Sequence, residues 1–198
     1  MKKIIALVCF VFAFVPAQKL FAQQFSIGAS SATHIYLFNE AGNIHGAGAP
    51  GLSLDFEATF PVTEIFKVSA GASLTGAAGY HFGGDTALNL GEIYFDIPVR
   101  ARIYIPLGGR TALNFFGGPV LSTNLVSIDA HAAGTTNNYE TYPHLRRFDV
   151  MLGVGAGIDI IEHIRVALGF DYGLLDRNGD ANAWCHRGQI KVGVQYIF

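Results

Sequence analysis

The chain has 198 residues, a formal net charge of −2, and only 14% charged side chains beside 51% hydrophobic ones, whereas soluble domains carry about 25% charge. Setting aside the first 22 residues leaves ten basic against fifteen acidic side chains, which argues against nucleic acid as a partner. No apolar run after Val15 approaches the roughly 18 residues of a membrane helix, so any membrane-spanning reading must use strands.

Lys2 and Lys3 precede an apolar stretch over 4–15, followed by Pro16 and a short polar segment ending in Leu20-Phe21-Ala22. A charged start, a core too short to span a bilayer and a small residue at its end predict a secretory signal peptide over 1–22, cleaved after Ala22. The remaining 23–198 is one domain. Cys9 lacks the preceding small residues of a lipoprotein signal. Cys185 is then the single thiol of the mature chain, and no internal disulfide forms.

From there the apolar residues recur with period two in eight segments: 25–37, 50–60, 66–80, 91–105, 112–125, 147–160, 164–174 and 187–198. Short connections at 61–65, 106–110 and 161–163 alternate with Gly-, Asn-, His-, Thr- and Asp-rich connections of about ten to twenty residues. Short turns at one end and long loops at the other predict an all-β, eight-stranded antiparallel up-and-down transmembrane β-barrel, with the short turns facing the periplasm. Pro98 and Pro119 fall inside predicted strands, where neither can donate to a ladder, so a bulge is expected at each.

Side-chain parity separates two faces. In the fourth segment Ile93, Phe95, Ile97, Val99, Ala101, Ile103 and Ile105 alternate with Glu92, Tyr94, Asp96, Pro98, Arg100, Arg102 and Tyr104. Over all eight segments fourteen charges fall on the polar face and none on the apolar one. A charge facing lipid at mid-membrane costs about 2 to 4 kcal/mol, so this is the distribution a membrane barrel needs. A soluble sandwich would alternate too, but would not gather Gly and balanced charge on one face. Aromatics on the apolar parity cluster near both ends: Phe25, Phe60, Phe66, Phe115 and Phe198 by the short turns, Tyr80, Phe95, Phe148 and Tyr172 toward the long loops.

The polar face holds seven acids, Asp55, Glu57, Glu92, Asp96, Asp149, Asp159 and Asp171. It also holds seven bases, Lys67, Arg100, Arg102, Arg147, Arg165, Arg187 and Lys191. An eight-stranded barrel is only just filled by its side chains, and charges in so narrow a space must be paired. The expectation is an ion-pair network that closes the lumen, with Arg100 and Arg102 meeting acids from across the barrel. A selective pore would show an excess of one sign. The last strand ends on Tyr196 and Phe198, both on the apolar parity, and resembles the terminal strand that barrel assembly machinery recognises.

Ile93-Tyr94-Phe95-Asp96-Ile97-Pro98-Val99-Arg100, Phe116-Gly117-Gly118-Pro119 and Asp149-Val150-Met151-Leu152-Gly153-Val154-Gly155-Ala156-Gly157 resemble the outer membrane protein beta-barrel domain family of PorT-like proteins found in Bacteroidetes-type bacteria. The resemblance covers the mature chain. It implies an eight-stranded barrel in the cell outer membrane and no defined biochemical activity.

Catalytic, cofactor and metal signals are thin, and none is expected. The seven His residues lie mostly in loops or at strand ends without metal-ligand spacing. His81 with Asp85 is the nearest approach to the rim chemistry of lipid-modifying barrels, but no Ser accompanies them. The segment 176–182 begins like a calcium loop but lacks Gly at the sixth position and has Arg187 where a bidentate Glu belongs, so it reads as an Asn/Asp turn. A structural or surface-interaction barrel is therefore expected. Its partners are outer-membrane lipid, the assembly machinery, and an extracellular ligand or protein met through the long loops. A small transporter or channel is the alternative, and a lipid-modifying enzyme a more distant one.

Overall fold

A computed structural model describes residues 23–40, 43–80, 89–131, 134–137, 146–178 and 183–198. The predicted signal peptide, the His81 and Asp85 pair and the end of the segment 176–182 lie outside the described residues. Among the described residues nine strands form: β1 Gln24–Glu40, β2 Asn43–Pro61, β3 Phe66–Tyr80, β4 Asn89–Gly108, β5 Thr111–His131, β6 Gly134–Asn137, β7 Phe148–Ile160, β8 Ile164–Gly173 and β9 Ala183–Ile197. Each of β1–β5 and β7–β9 pairs antiparallel with its sequence neighbour, and β1 also pairs with β9, which closes an eight-stranded barrel. The short β6 pairs with the upper end of β5.

Closure depends on the parity described above. Lumen-facing Ser, Thr, Asn and charged side chains are buried or half-buried, whereas Leu52, Leu54, Phe56, Leu168, Val192 and Val194 are exposed on the outer wall. In a soluble protein such a surface would be an aggregation site; in a barrel it is the face that meets lipid.

The connections at the short-turn end are tight. Val62 and Thr63 both donate to the Phe66 carbonyl, and the Thr63 hydroxyl accepts from the Phe66 amide at 2.9 Å. Gly108 and Gly109 take positive φ between β4 and β5. Between β7 and β8 the left-handed positions are held by Ile161 (φ 54°) and Glu162 (φ 66°), a turn that Asn and Gly occupy at far lower cost.

Two expectations are corrected. The first long connection, 38–49, is mostly strand: β1 and β2 continue as a paired hairpin up to Glu40 and Asn43. Gly46, Gly48 and Ala49 carry no turn signal once a partner strand offers a ladder. The second correction concerns Pro98 and Pro119, which cause no register shift. The pairs Ala70↔Val99 and Ser73↔Asp96 keep one register across Pro98, as do Pro98↔Val120 and Ala101↔Gly117 beside Pro119. The missing amides cost rungs of the ladder, not an inserted residue. Gly118 lets the strands close up there, since a Cβ on it would lie 2.2 Å from the Val99 carbonyl oxygen. The register shifts elsewhere: at the turn end between Pro106 and Gly108, and higher, where Ile93↔Val126 is followed by Tyr94↔Asn124 and Leu125 is the extra residue.

Candidate functional site: the lumen

Inward-facing side chains stack in three layers. The lowest, nearest the short turns, is built on Glu57 of β2. Its carboxylate accepts from Arg102 of β4 at 2.5 Å and from Arg165 of β8 at 3.1 Å. Arg165 also binds Asp159 at 2.8 Å and donates to the Tyr104 hydroxyl at 2.7 Å. Arg102 donates to Ser69 at 3.1 Å and Asn114 at 3.2 Å, and Asn114 in turn donates to Asp159 at 2.8 Å. Lys67 lies below, donating to Gln24 at 3.0 Å with its ammonium 4.1 Å from the centre of the Tyr104 ring.

The middle layer centres on Lys191 of β9. Its ammonium lies 3.4 Å from Asp55 and 3.8 Å from Asp96, and donates to Ser73 at 2.7 Å. Ser30 supplies a further donor to Asp55 at 2.7 Å. Arg100 reaches across from β4 to Asp171 of β8 at 3.2 Å. Between these groups lies a cavity of about 40 Å³, room for roughly two or three waters.

Glu92 of β4 organises the upper layer. It accepts from the hydroxyls of Tyr36, Tyr94 (2.9 Å) and Ser127 (3.2 Å), from the Asn124 amide (3.3 Å) and from Arg177 (3.4 Å). Gln189 donates to His34 Nε2 at 2.9 Å, which leaves Nδ1 as the protonated nitrogen facing the Tyr36 hydroxyl at 3.3 Å. Arg187 stacks 3.7 Å from the centre of the Tyr94 ring, donates to Ser122 at 2.7 Å and lies 3.6 Å from Asp96. Asp149 accepts from the Leu175 amide at 3.1 Å.

Of the fourteen charged residues singled out in the sequence, thirteen belong to these lumen layers, Lys67 among them through Gln24. Arg147 is placed differently. β7 begins one residue later, the Arg147 carbonyl accepts from the Asn124 amide at 2.7 Å, and its side chain is exposed at the rim. At the other end Tyr196 and Phe198 face outward with ring centres 5.2 Å apart, and the Phe198 amide donates to the Phe25 carbonyl at 2.8 Å.

Sequence reasoning missed Arg177. It belongs to the segment read as a turn, which is tied over the mouth: the Arg177 amide donates to the Cys185 carbonyl at 2.8 Å and its own carbonyl accepts from the Arg146 amide at 2.9 Å. From there its guanidinium reaches Glu92 and lies 5.5 Å from the centre of the Tyr94 ring. His34, Tyr36, Asn114, Asn124 and Gln189 were also missed, although each lies on the inward parity that exposed the charges. No cluster of three His, Cys, Asp or Glu fit to hold a metal occurs among the described residues.

Among solved structures the chain is similar to Neisserial surface protein A, with 13% identity, 88% of this chain and 97% of that chain covered, and a TM-score of 0.51. Lower-scoring likenesses include Ail, the attachment invasion locus protein of Yersinia pestis (13% identity, 87% and 98% covered, TM-score 0.47), and the outer membrane protein OprG from Pseudomonas aeruginosa (14%, 88% and 95%, 0.46). Among curated proteins none matches the chain. The family described as "Outer membrane protein beta-barrel domain" matches residues 21–177, and with the closed barrel and its apolar outer wall this places the chain in that family, as a small barrel of the cell outer membrane.

Proposed function

We propose that this barrel is a sealed, non-catalytic element of the outer membrane whose role lies in surface interaction through its extracellular hairpins. One observation carries the reading: Arg102, Arg165 and Arg187 in the lumen are each no more than 2% exposed, whereas side chains lining a water-filled channel would stay wet. Arg102 and Arg165 share Glu57 of β2, and Arg187 lies against Asp96 of β4, pairs between non-adjacent strands that close the bore. Above the apolar wall, β1 and β2 continue as a hairpin and β5 pairs with β6, offering Gly-, Asn- and Thr-rich surface to a protein or other extracellular ligand. The chain reaches this place as a precursor cut after Ala22, and its terminal strand with Tyr196 and Phe198 is what the assembly machinery engages. The finer kinship with PorT-like barrels rests on the motifs of β4, β5 and β7. Purified mature protein in a planar bilayer tests the sealed lumen: it passes no steady current at either polarity, and reproducible single-channel steps would replace this reading with transport.

A further inference from the structure

The outer wall is uneven. Low on β2–β4 the lipid-facing positions carry Leu54, Phe56, Leu74 and Phe95, but toward the long loops the sheet floor is Gly76, Ala78 and Gly91. Leu52 on one side and Ile93 and Ile128 on the other flank this floor, leaving an apolar furrow of about 460 Å³. A Cβ added at Gly76 would meet nothing within 4 Å, so the space above it is open.

The β5 bulge builds one bank. Because Leu125 is inserted, Leu125 and Val126 both face outward, Ser127 turns back to bind Glu92, and Ile128 returns to the outside. Were Leu125 an ordinary rung of the ladder instead of a bulge, strict alternation would send Val126 and Ile128 into the lumen and Ser127 into lipid. Glu92, beneath the floor, has its carboxylate turned inward and held there by Tyr36 and Tyr94, so the furrow presents no charge.

We infer that this furrow seats one acyl chain of an outer-leaflet lipid. It opens on the face that contacts the hydrocarbon of the outer membrane, at the long-loop end and therefore on the outer side. An unfilled groove in hydrocarbon forfeits dispersion contacts on every wall, and a linear flexible chain fills it. The convex wall of a second barrel would rest on the Leu52 and Ile128 banks and leave the floor empty.

The experiment uses the mature protein in phosphatidylethanolamine vesicles doped with a lipid bearing a photoactivatable diazirine on its acyl chain, with cross-links mapped by peptide mass spectrometry. Cross-links concentrate on β2–β4 around the furrow, relative to the Leu168 and Val192 wall on β8 and β9. G76L, which fills the space without touching the lumen, lowers the furrow yield about tenfold, equivalent to about 1.4 kcal/mol of occupancy, and leaves the β8–β9 yield unchanged. Should G76L fail to fold, A78L carries the same expectation. Even labelling around the barrel, or a furrow yield untouched by the filling variant, overturns the proposal. So does a wild-type dimer, seen by size and light scattering, whose contact maps to the furrow.

Discussion

Removing single lumen cations should hurt in a fixed order. Arg165 is 1% exposed and binds Glu57, Asp159 and Tyr104, so Arg165→Ala takes a cation from two buried carboxylates at once, leaving Glu57 only Arg102 and Asp159 only the neutral Asn114 amide among these partners. Arg102, 2% exposed, shares Glu57 with Arg165, so Arg102→Ala leaves that acid one partner. Arg100 has a single acid at 3.2 Å and borders the central cavity, where water can reach Asp171 once the guanidinium is gone. Breaking a buried pair costs about 3 to 5 kcal/mol, which puts Arg165→Ala at about 5 kcal/mol and Arg102→Ala at about 3. Relief by water lowers Arg100→Ala to about 1 to 2 kcal/mol. In a chain of this length each kcal/mol moves the unfolding temperature by about 2–4 °C, so Arg165→Ala should lower it by roughly 10–20 °C. Circular dichroism in detergent, with heat-modifiability gels to score folded barrel, reads all three. Removing both members of a pair should be milder than removing one, so Glu57→Gln combined with Arg102→Met recovers part of the Arg102→Ala loss. If Arg100→Ala proves as damaging as Arg165→Ala, or all three are near neutral, the layered network is not what holds the barrel together.

Deleting Phe198, whose amide pairs with the Phe25 carbonyl beside the β1–β9 seam, should leave more unfolded, protease-sensitive chain in membrane fractions; wild-type yield would count against a role for the terminal strand. Replacing Ile161-Glu162 with Asn-Gly relieves two left-handed non-glycine residues and should stabilise the barrel by about 1–2 kcal/mol per residue relieved; an unchanged urea midpoint would show the turn is not strained. Adding a methyl at Gly155, where a Cβ would lie 2.2 Å from the Phe116 ring and 2.5 Å from the Leu168 carbonyl oxygen, should destabilise by about 1–3 kcal/mol, read by the same denaturation. Amino-terminal sequencing of protein taken from outer-membrane fractions should begin near Gln23; an uncleaved start at Met1 would refute the signal peptide.

The fold was legible because a barrel wall obeys the simplest pattern in protein structure. Ile93, Phe95 and Ile97 alternate with Glu92, Tyr94 and Asp96, and the structure keeps every one on its expected side. Loop lengths were less legible. Residues 43–49 are Gly- and Ala-rich and suggest a loop in isolation, but hairpin pairing with β1 decides otherwise. Charge balance along the inward parity suggested that acids and bases would meet, yet not which ones. Register and strand tilt set the pairing, and neither is local information. Arg177 escaped because it lies outside any strand, and period two says nothing about a loop residue that turns into the bore. His34, Tyr36 and Gln189 escaped for a different reason: attention to formal charge passes over neutral groups that satisfy it.

The partners in the lumen also bear on how the wall can be built. Of the strand-to-strand ion pairs described above among the described residues, Arg165 with Asp159 alone joins adjacent strands, across the β7–β8 turn. Asp55 waits for Lys191, which lies 136 residues further along the chain, Asp96 for Arg187 and Lys191, and Arg100 for Asp171. A sheet of β1–β5 spread open in a bilayer would therefore present Asp55 and Asp96 to lipid without the β9 cations that neutralise them, each at a cost below the about 2–4 kcal/mol of a Lys or Arg near mid-membrane. Such partly inserted sheets are high-energy species, and the seam between β1 and β9 is where that penalty is discharged. Insertion should accordingly be all-or-none, with the early strands held in a polar shelter until the last two arrive.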